Sequence, residues 1–243
     1  MHDEALAGGN STDVRRVGET VRRTSGPWTP RVHELLRVLR GEGVLEVPEP
    51  LGLDESGREV LSYLPGEVAN YPLPGWLWHR SVLAESAAML RRVHDAGAPL
   101  AGVRDGWQLP SHEPVEVICH NDVAPYNLVL VDGHVGGLID FDTASPGPRI
   151  WDLAYLAYRL VPFVADAGAE APAESERIER LNLLIAAYGM DYSPAEVLTV
   201  MAARLEELAA FTEQRADDTG RADLREHAAM YRVDAVRVLA LAS

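Results

Sequence analysis

The stretch from residue 117 to residue 142 constrains the fold more than any other part of the chain. A short apolar run, Val117-Ile118-Cys119, leads into a polar loop, and two further apolar runs then flank Asp132-Gly133. An Asp-Gly pair between apolar runs is a strong signal for a two-residue β-hairpin turn. The sequence therefore predicts a strand, a polar loop and a hairpin in succession.

The hairpin predicts that two polar side chains lie close together at its open end. With the turn at Asp132-Gly133, Asn127 is expected opposite Leu138, and Asp140 lies two residues further along on the same face. Diagonal neighbours of this kind have Cβ atoms roughly 7 Å apart. An amide oxygen and a carboxylate at that distance suit a hard cation such as Mg²⁺, to which Asp142 could add a second carboxylate.

The polar loop contains a candidate general base. Asp122 lies five residues before Asn127, and a carboxylate in such a loop can orient an attacking hydroxyl group and accept its proton. We interpret the neighbouring His120 as a residue that braces the loop through the backbone rather than as a proton carrier.

These residues form a recognisable set. His120-x-Asp122-x-x-x-x-Asn127, then Ile139-Asp140-Phe141-Asp142, and then Gly147-x-x-x-Trp151-Asp152-Leu153-Ala154 resemble the motifs of aminoglycoside phosphotransferases and related small-molecule kinases. The resemblance implies that Asp122 is the catalytic base and that Asn127 and Asp140 hold Mg²⁺. It also implies a nucleotide donor, with ATP as the default and GTP as the alternative, and a small-molecule hydroxyl acceptor.

The resemblance also implies an α+β, protein-kinase-like fold with two lobes. We expect a small β-rich N-lobe at residues 1–62, a hinge at 63–67 and a mostly helical C-lobe at 68–243, with the nucleotide in the cleft between the lobes. In the N-lobe, a Gly-rich connection around Gly8-Gly9 precedes two short antiparallel strands on either side of Gly18-Glu19.

The chain departs from the family pattern in its N-lobe. A lysine on an N-lobe strand usually contacts the nucleotide phosphates, whereas all 22 basic residues of this chain are arginine. Arg23 stands at the matching place, and we expect it to contact phosphate, although an arginine fork and a lysine ammonium are not interchangeable. Glu34 is the nearest candidate for the helix glutamate that pairs with the lysine in the family.

Helix signals account for most of the remaining chain. Thr29-Pro30 predicts a helix start with threonine as the N-cap, and Ser193-Pro194-Ala195-Glu196 predicts a capping box. The predicted helices cover residues 29 to 41 or 43, 76–96, 150–164, 174–189, 193–216 and 221–242.

Composition narrows the classes of function. A net charge of −15 argues against nucleic acid as a partner and is compatible with a cationic acceptor. A single cysteine, Cys119, excludes an internal disulfide framework. No apolar run reaches the length of a membrane span, and the N-terminus lacks the features of a signal peptide. We therefore expect a cytoplasmic protein; the sequence leaves its oligomeric state open.

Three other classes of protein fit parts of this sequence to different degrees. The missing lysine and the small N-lobe are also compatible with a nucleotide-binding, pseudokinase-like protein that turns over little and acts through a partner. A protein kinase is less favoured, because only eleven residues separate Asp140 from Asp152 and none of them resembles an activation segment. A two-metal phosphatase usually needs more His and Asp ligands than this cluster offers.

Overall fold

The protein is described by a computed structural model that covers residues 3–6, 14–165 and 167–242. The Gly-rich connection predicted around Gly8-Gly9 lies outside these residues. The chain divides into two compact units: residues 1–71 together with 89–149, and residues 72–88 together with 150–243. None of the helices in the described ranges is long and apolar enough to cross a membrane.

The first unit contains a five-stranded antiparallel sheet. Its strands, in chain order, are β1 (Asp3–Ala5), β2 (Arg15–Val17), β3 (Thr20–Arg23), β4 (Pro50–Leu53) and β5 (Glu59–Ser62). Their order across the sheet is β1-β2-β3-β5-β4. The predicted pair of short strands is confirmed as β2 and β3, joined by a tight turn in which Gly18 has φ +62°. This φ value favours glycine.

Helix α1 (Thr29–Gly41) lies between β3 and β4 in the chain. Its predicted apolar face is confirmed, because Val32, Leu35, Leu36 and Leu39 are each at most 1% exposed. Each such side chain contributes about 1.5–3 kcal/mol on burial. The helix begins at the predicted residue, but Thr29 is not its N-cap; the Thr29 hydroxyl accepts a hydrogen bond from the backbone N–H of Gly26.

Two smaller sheets follow in the first unit. Their strands are β6 (Glu67–Val68), β7 (Val117–Cys119), β8 (Leu128–Val131), β9 (His134–Leu138) and β10 (Ser145–Gly147). Strands β6, β8 and β9 form one antiparallel sheet, and β7 pairs with β10. Helix α2 (Arg80–Gly97) begins in the second unit and ends in the first. The helix predicted from residue 76 is interrupted at His79, which has extended backbone angles.

The hairpin of β8 and β9 has the predicted turn but a different register at its base. Val131 lies opposite His134, as expected for a turn at Asp132-Gly133. Gly136 is then an extra, unpaired residue, so Leu138 lies opposite Leu128 and not opposite Asn127. The predicted Asn127–Leu138 pairing was therefore wrong by one residue, because a β-bulge shifts everything beyond it.

The second unit is helical in its described residues. Its helices after the start of α2 are α3 (Arg149–Leu160, from its second residue), α4 (Arg177–Tyr188), α5 (Pro194–Thr219) and α6 (Ala222–Ala240). The predicted capping box is confirmed at the start of α5, where Ser193 and Glu196 bond each other's backbone N–H groups. Helices α5 and α6 pack against each other, and Gly220, with φ +70°, makes the sharp turn between them.

Candidate active site

Asp122 lies in the loop after β7 and accepts hydrogen bonds at both carboxylate oxygens. The Tyr126 hydroxyl donates to Oδ1 at 2.9 Å, and the Asn127 amide nitrogen donates to Oδ2 at 3.0 Å. A short 3₁₀ helix, Pro125–Asn127, brings these two donors back towards Asp122. The half-buried carboxylate is therefore held in a defined orientation.

Asn127 is buried, and its amide group has a defined orientation. Its nitrogen donates both to the backbone oxygen of Asp122 at 2.9 Å and to the Asp122 carboxylate. The amide nitrogen carries two hydrogens and has no free lone pair, so Oδ1 is the atom that Asn127 can offer to a metal. The structure thus joins the predicted base and one predicted metal ligand by a direct hydrogen bond.

His120 braces the loop, as predicted. The backbone N–H of Asp122 donates to Nδ1 of His120 at 3.2 Å, so Nε2 carries the proton and donates to the backbone oxygen of Ile139 at 3.0 Å. The ring also packs edge-on against Phe141, with 4.6 Å between centroids. His120 therefore ties the Asp122 loop to the segment that carries Asp140.

Asn121 directly precedes Asp122 and has an unusual backbone conformation. Its φ is +65°, a left-handed conformation that asparagine tolerates better than most residues other than glycine. Its amide nitrogen donates to the backbone oxygen of Thr143 at 2.9 Å and to the Ser145 hydroxyl at 2.8 Å. Asparagine thus keeps the required backbone and adds a tether to the segment after Asp140.

Asp140 does not continue the strand geometry from which its position was predicted. The residue also has φ +65°, and the chain then forms a 3₁₀ turn at Phe141–Thr143. The backbone N–H of Ile139 donates to the backbone oxygen of Asn127 at 3.0 Å, which leaves Asp140 directly after the last paired residue. The expected diagonal arrangement with Asn127 on one face of a regular hairpin was therefore wrong, although the two residues remain at the same end of the hairpin.

Arg23 lies at the end of β3 and contacts three carboxylates. Its Nε donates to Oε2 of Glu59 at 2.5 Å, and Nη1 donates to Oδ1 of Asp140 at 2.7 Å. Its Nη2 donates to Oδ1 of Asp142. The Arg23 side chain is 8% exposed and that of Glu59 is 1% exposed, so this ion pair is buried, whereas Asp142 and Asp140 are 20% and 43% exposed. The structure thus brings Arg23 together with one predicted metal ligand, Asp140, and with Asp142.

The electrostatics of this cluster follow from its excess of negative charge. Burial alone would lower the pKa of Arg23, but Asp142, Glu59 and Asp140 together hold that pKa above its ordinary value. Burial raises the pKa of Asp142 to about 6, with further increases from Asp140 and Glu59. Arg23 and a hydrogen bond from Trp28 oppose that rise. The three carboxylates carry more negative charge than one arginine neutralises, so the cluster can bind an additional cation.

Glu34 is not the partner of Arg23. The Glu34 carboxylate pairs with Arg31 on the same helix, one turn earlier. The carboxylate that holds Arg23 is Glu59, the Cα partner of Arg23 across β3 and β5. Helix α1 contributes His33 instead, whose Nε2 lies 2.9 Å from Oε1 of Glu59.

Three side chains of the candidate site were not predicted from the sequence. Tyr126 directly precedes Asn127, and a hydroxyl group four residues after the candidate base was a usable signal. Glu59 and His33 gave no comparable signal, because each depends on a register or helix rotation that a single sequence does not define.

The donor atoms fit a hard divalent cation. Asp140 and Asp142 supply carboxylates and Asn127 supplies an amide oxygen, so the set consists of oxygen atoms, as Mg²⁺ prefers. Asp140 is 43% exposed, which leaves space for water and phosphate oxygens. Two carboxylate oxygens now bound by Arg23 belong to this set, so cation binding and the Arg23 contacts involve the same groups.

Comparisons with known proteins identify the family of this chain. Residues 104–184 match the model of the phosphotransferase enzyme family. The trifolitoxin immunity protein of Rhizobium leguminosarum bv. trifolii is 35% identical over 201 residues, covering 78% of this chain and 76% of that protein. The chain belongs to the phosphotransferase enzyme family, and its class is that of small-molecule phosphotransferases.

Solved structures show the fold. A choline/ethanolamine kinase family protein from Mesorhizobium loti superposes with a TM-score of 0.70 at 20% identity, covering 98% of this chain and 88% of that one. The GDP complex of an aminoglycoside 2′-phosphotransferase gives a TM-score of 0.66 at 13% identity, covering 98% and 93%. The expected protein-kinase-like fold, with a small antiparallel sheet followed by a mostly helical part, is confirmed.

Proposed function

We propose that this chain is a Mg²⁺-dependent kinase that transfers the γ-phosphate of ATP to a hydroxyl group of a small molecule. The observation that carries the proposal is the arrangement around the loop after β7. The Asp122 carboxylate accepts hydrogen bonds from Tyr126 and Asn127. Asp140 and Asp142, which follow the hairpin of β8 and β9, both contact Arg23. The proposal includes a hinge at residues 63–67 and a cytoplasmic location.

In this mechanism Asp122 acts on the acceptor. Its carboxylate orients the acceptor hydroxyl group and takes its proton as the acceptor oxygen forms a bond to the γ-phosphorus. The bond between that phosphorus and the bridging oxygen breaks, and the electron pair leaves with ADP. Tyr126 and Asn127 keep the carboxylate aimed during the step.

Asn127, Asp140 and Arg23 act on the donor. Oδ1 of Asn127 and the carboxylates of Asp140 and Asp142 would hold the cation, which supplies charge neutralisation at the phosphate oxygens when bound. The Nη groups of Arg23 bind phosphate oxygens, since a planar guanidinium donates to two oxygens at once. GTP is the alternative donor, and the GDP complex of the aminoglycoside enzyme supports testing both nucleotides.

The relative from Rhizobium suggests the biological role of the reaction. That protein is named for immunity to trifolitoxin, and we propose that the acceptor of this chain is likewise an antibacterial compound. The net charge of −15 favours a cationic acceptor. Expression in a sensitive strain, with wild type and Asp122→Asn compared for growth on trifolitoxin, tests whether protection occurs and whether it needs turnover.

A second candidate is a nucleotide-binding protein with little turnover that acts through a partner. The observation in its favour is Arg23, whose three donor nitrogens named above each contact a carboxylate. Both candidates predict nucleotide binding, but only the kinase predicts ADP formation that depends on an acceptor.

Calorimetry with ATP and GTP, with and without Mg²⁺, separates these possibilities when wild type and Asp140→Ala are compared. Metal-dependent binding that is lost in Asp140→Ala supports the nucleotide site, and a screen of acceptors for ADP release then tests the kinase. If neither nucleotide binds the wild-type protein at millimolar concentration, both candidates are wrong.

A further inference from the structure

The guanidinium group of Arg23 is used along two of its edges. Nε is bound by Glu59 at 2.5 Å, whereas the two Nη atoms contact Asp140 and Asp142. Because the guanidinium group is planar and its donors have fixed directions, holding Nε determines where both Nη groups point. The contact with Glu59 therefore determines the direction of the two Nη groups, which face the carboxylates of Asp140 and Asp142.

Glu59 is itself held from both sides. It is 1% exposed, and its two oxygens have different partners: Oε2 accepts from Arg23 on β3, and Oε1 lies 2.9 Å from Nε2 of His33 on α1. His33 is 5% exposed. A buried carboxylate with a partner at each oxygen has little freedom to rotate, so the helix helps to orient the group that orients Arg23.

We infer that Glu59 and His33 are positioning residues for Arg23, and that the chain His33–Glu59–Arg23 keeps the two Nη groups directed at the phosphate and metal site. The inference rests on the proposed function. When a nucleotide binds, Nε stays on Glu59, and the Nη groups exchange their contacts with Asp140 and Asp142 for phosphate oxygens. Glu59 on the strand and His33 on the helix together hold the basic side chain in place, as a single helix glutamate does in the family pattern.

The same geometry explains why an arginine stands at this position. A lysine ammonium is a single nitrogen at the end of a flexible stem, so it cannot be fixed at one edge while presenting two donors at another. With Nε held by Glu59, an arginine keeps two further nitrogens for oxygen ligands, whereas a lysine has one nitrogen for all its partners. We therefore expect Arg23 and Glu59 to act together, in place of the lysine and the helix glutamate of the family pattern.

The test is the affinity for a non-hydrolysable ATP or GTP analogue with Mg²⁺, measured by calorimetry. Glu59→Gln keeps the shape of the side chain but removes its charge, and we expect the dissociation constant to rise about 10- to 100-fold. The KM for nucleotide should rise with it while kcat at saturating nucleotide changes little. Glu49→Gln, at a 56% exposed carboxylate, is the matched control and should behave as wild type.

A double-mutant cycle shows whether Glu59 acts through Arg23. In an Arg23→Gln background, Glu59→Gln should cause no further loss of affinity, because the group it positions is gone. His33→Leu, which removes the contact with Oε1 of Glu59, supplies a second variant and should weaken binding in the same direction.

The outcomes separate the inference from the proposed function. Nucleotide affinity that is unchanged in both Glu59→Gln and His33→Leu overturns the inference alone, as does a loss of the same size in the Arg23→Gln background. A wild-type protein that binds neither analogue overturns the proposed function, and the inference with it.

Discussion

The amide nitrogen of Asn127 lies 3.0 Å from Oδ2 of Asp122, so the candidate base and a candidate metal ligand are direct hydrogen-bond partners. This contact fixes the amide of Asn127 with its oxygen as the available ligand atom. It also means that the residues proposed to act on the acceptor and on the donor lie within one short segment, residues 122–127, which includes the 3₁₀ helix Pro125–Asn127.

Asp122→Asn should reduce turnover about 10²- to 10⁴-fold, because an amide cannot accept the proton of the acceptor hydroxyl. The amide can still bond Tyr126 and Asn127, so nucleotide affinity should stay within about twofold of wild type. Acceptor-dependent ADP release and calorimetry measure the two quantities. Asp132→Asn, in the exposed hairpin turn, is the control. Full turnover in Asp122→Asn would mean that another group is the base.

Arg23→Lys should destabilise the protein in the absence of metal by about 1–3 kcal/mol, because one ammonium cannot replace all three contacts with carboxylates, and that of Glu59 is buried. Mg²⁺ should then stabilise this variant more than it stabilises wild type. Thermal unfolding with and without Mg²⁺ is the measurement. Arg22→Lys, on the same strand but paired with Asp54 at 3.3 Å, is the control and should cost less than about 1 kcal/mol. Equal effects at the two positions would contradict the prediction.

Asn121→Ala should destabilise the protein by about 1–3 kcal/mol, since alanine is strained at φ +65° and makes neither tether. Asn121→Gly should cost less, because glycine accepts the backbone conformation and loses only the tethers to Thr143 and Ser145. Denaturant unfolding of the two variants measures the difference. The strain argument fails if the glycine variant is the less stable one.

Arg180→Met should destabilise the helical unit by about 3 kcal/mol or more. Arg180 is 2% exposed and donates to the backbone oxygens of Trp78, Leu160 and Val161 at 3.0–3.1 Å, all of which lose a donor in the variant. Burial also lowers the pKa of this arginine.

The control for Arg180→Met is Arg80→Met, at an arginine that is 51% exposed and pairs with the exposed Glu179. An exposed pair of this kind contributes no more than about 1 kcal/mol. Denaturant unfolding of both variants provides the comparison. Similar losses for the two would show that the carbonyl contacts of Arg180 contribute little.

Local signals predicted the hairpin, the loop and most helices. Asp132-Gly133 defined the turn, and Ser193 with Glu196 defined the start of α5, because each signal acts within a few residues. His120 was correctly interpreted as a brace for the same reason, since its partners include the backbone of Asp122. The family resemblance supplied the fold class, a small antiparallel sheet followed by a mostly helical part.

What could not be predicted depends on registers between distant segments. The Arg23–Glu59 contact joins residues 36 positions apart, and its register depends on how β3 and β5 align. On α1, a rotation of one residue separates His33, which faces Glu59, from Glu34, which faces Arg31. The bulge was missed although a glycine inside a strand often marks one, so Gly136-Gly137 was a usable signal.

The bulge at Gly136 has a consequence for how the length of this chain can vary. Insertion or deletion of one residue between Gly136 and Asp140 would turn each following side chain to the opposite face and move Asp140 away from Arg23. A change at the exposed tip, around Asp132-Gly133, only lengthens or shortens the loop and leaves the base of the hairpin in register. Related sequences should therefore differ in length at the tip and keep the spacing from Gly136 to Asp140 constant.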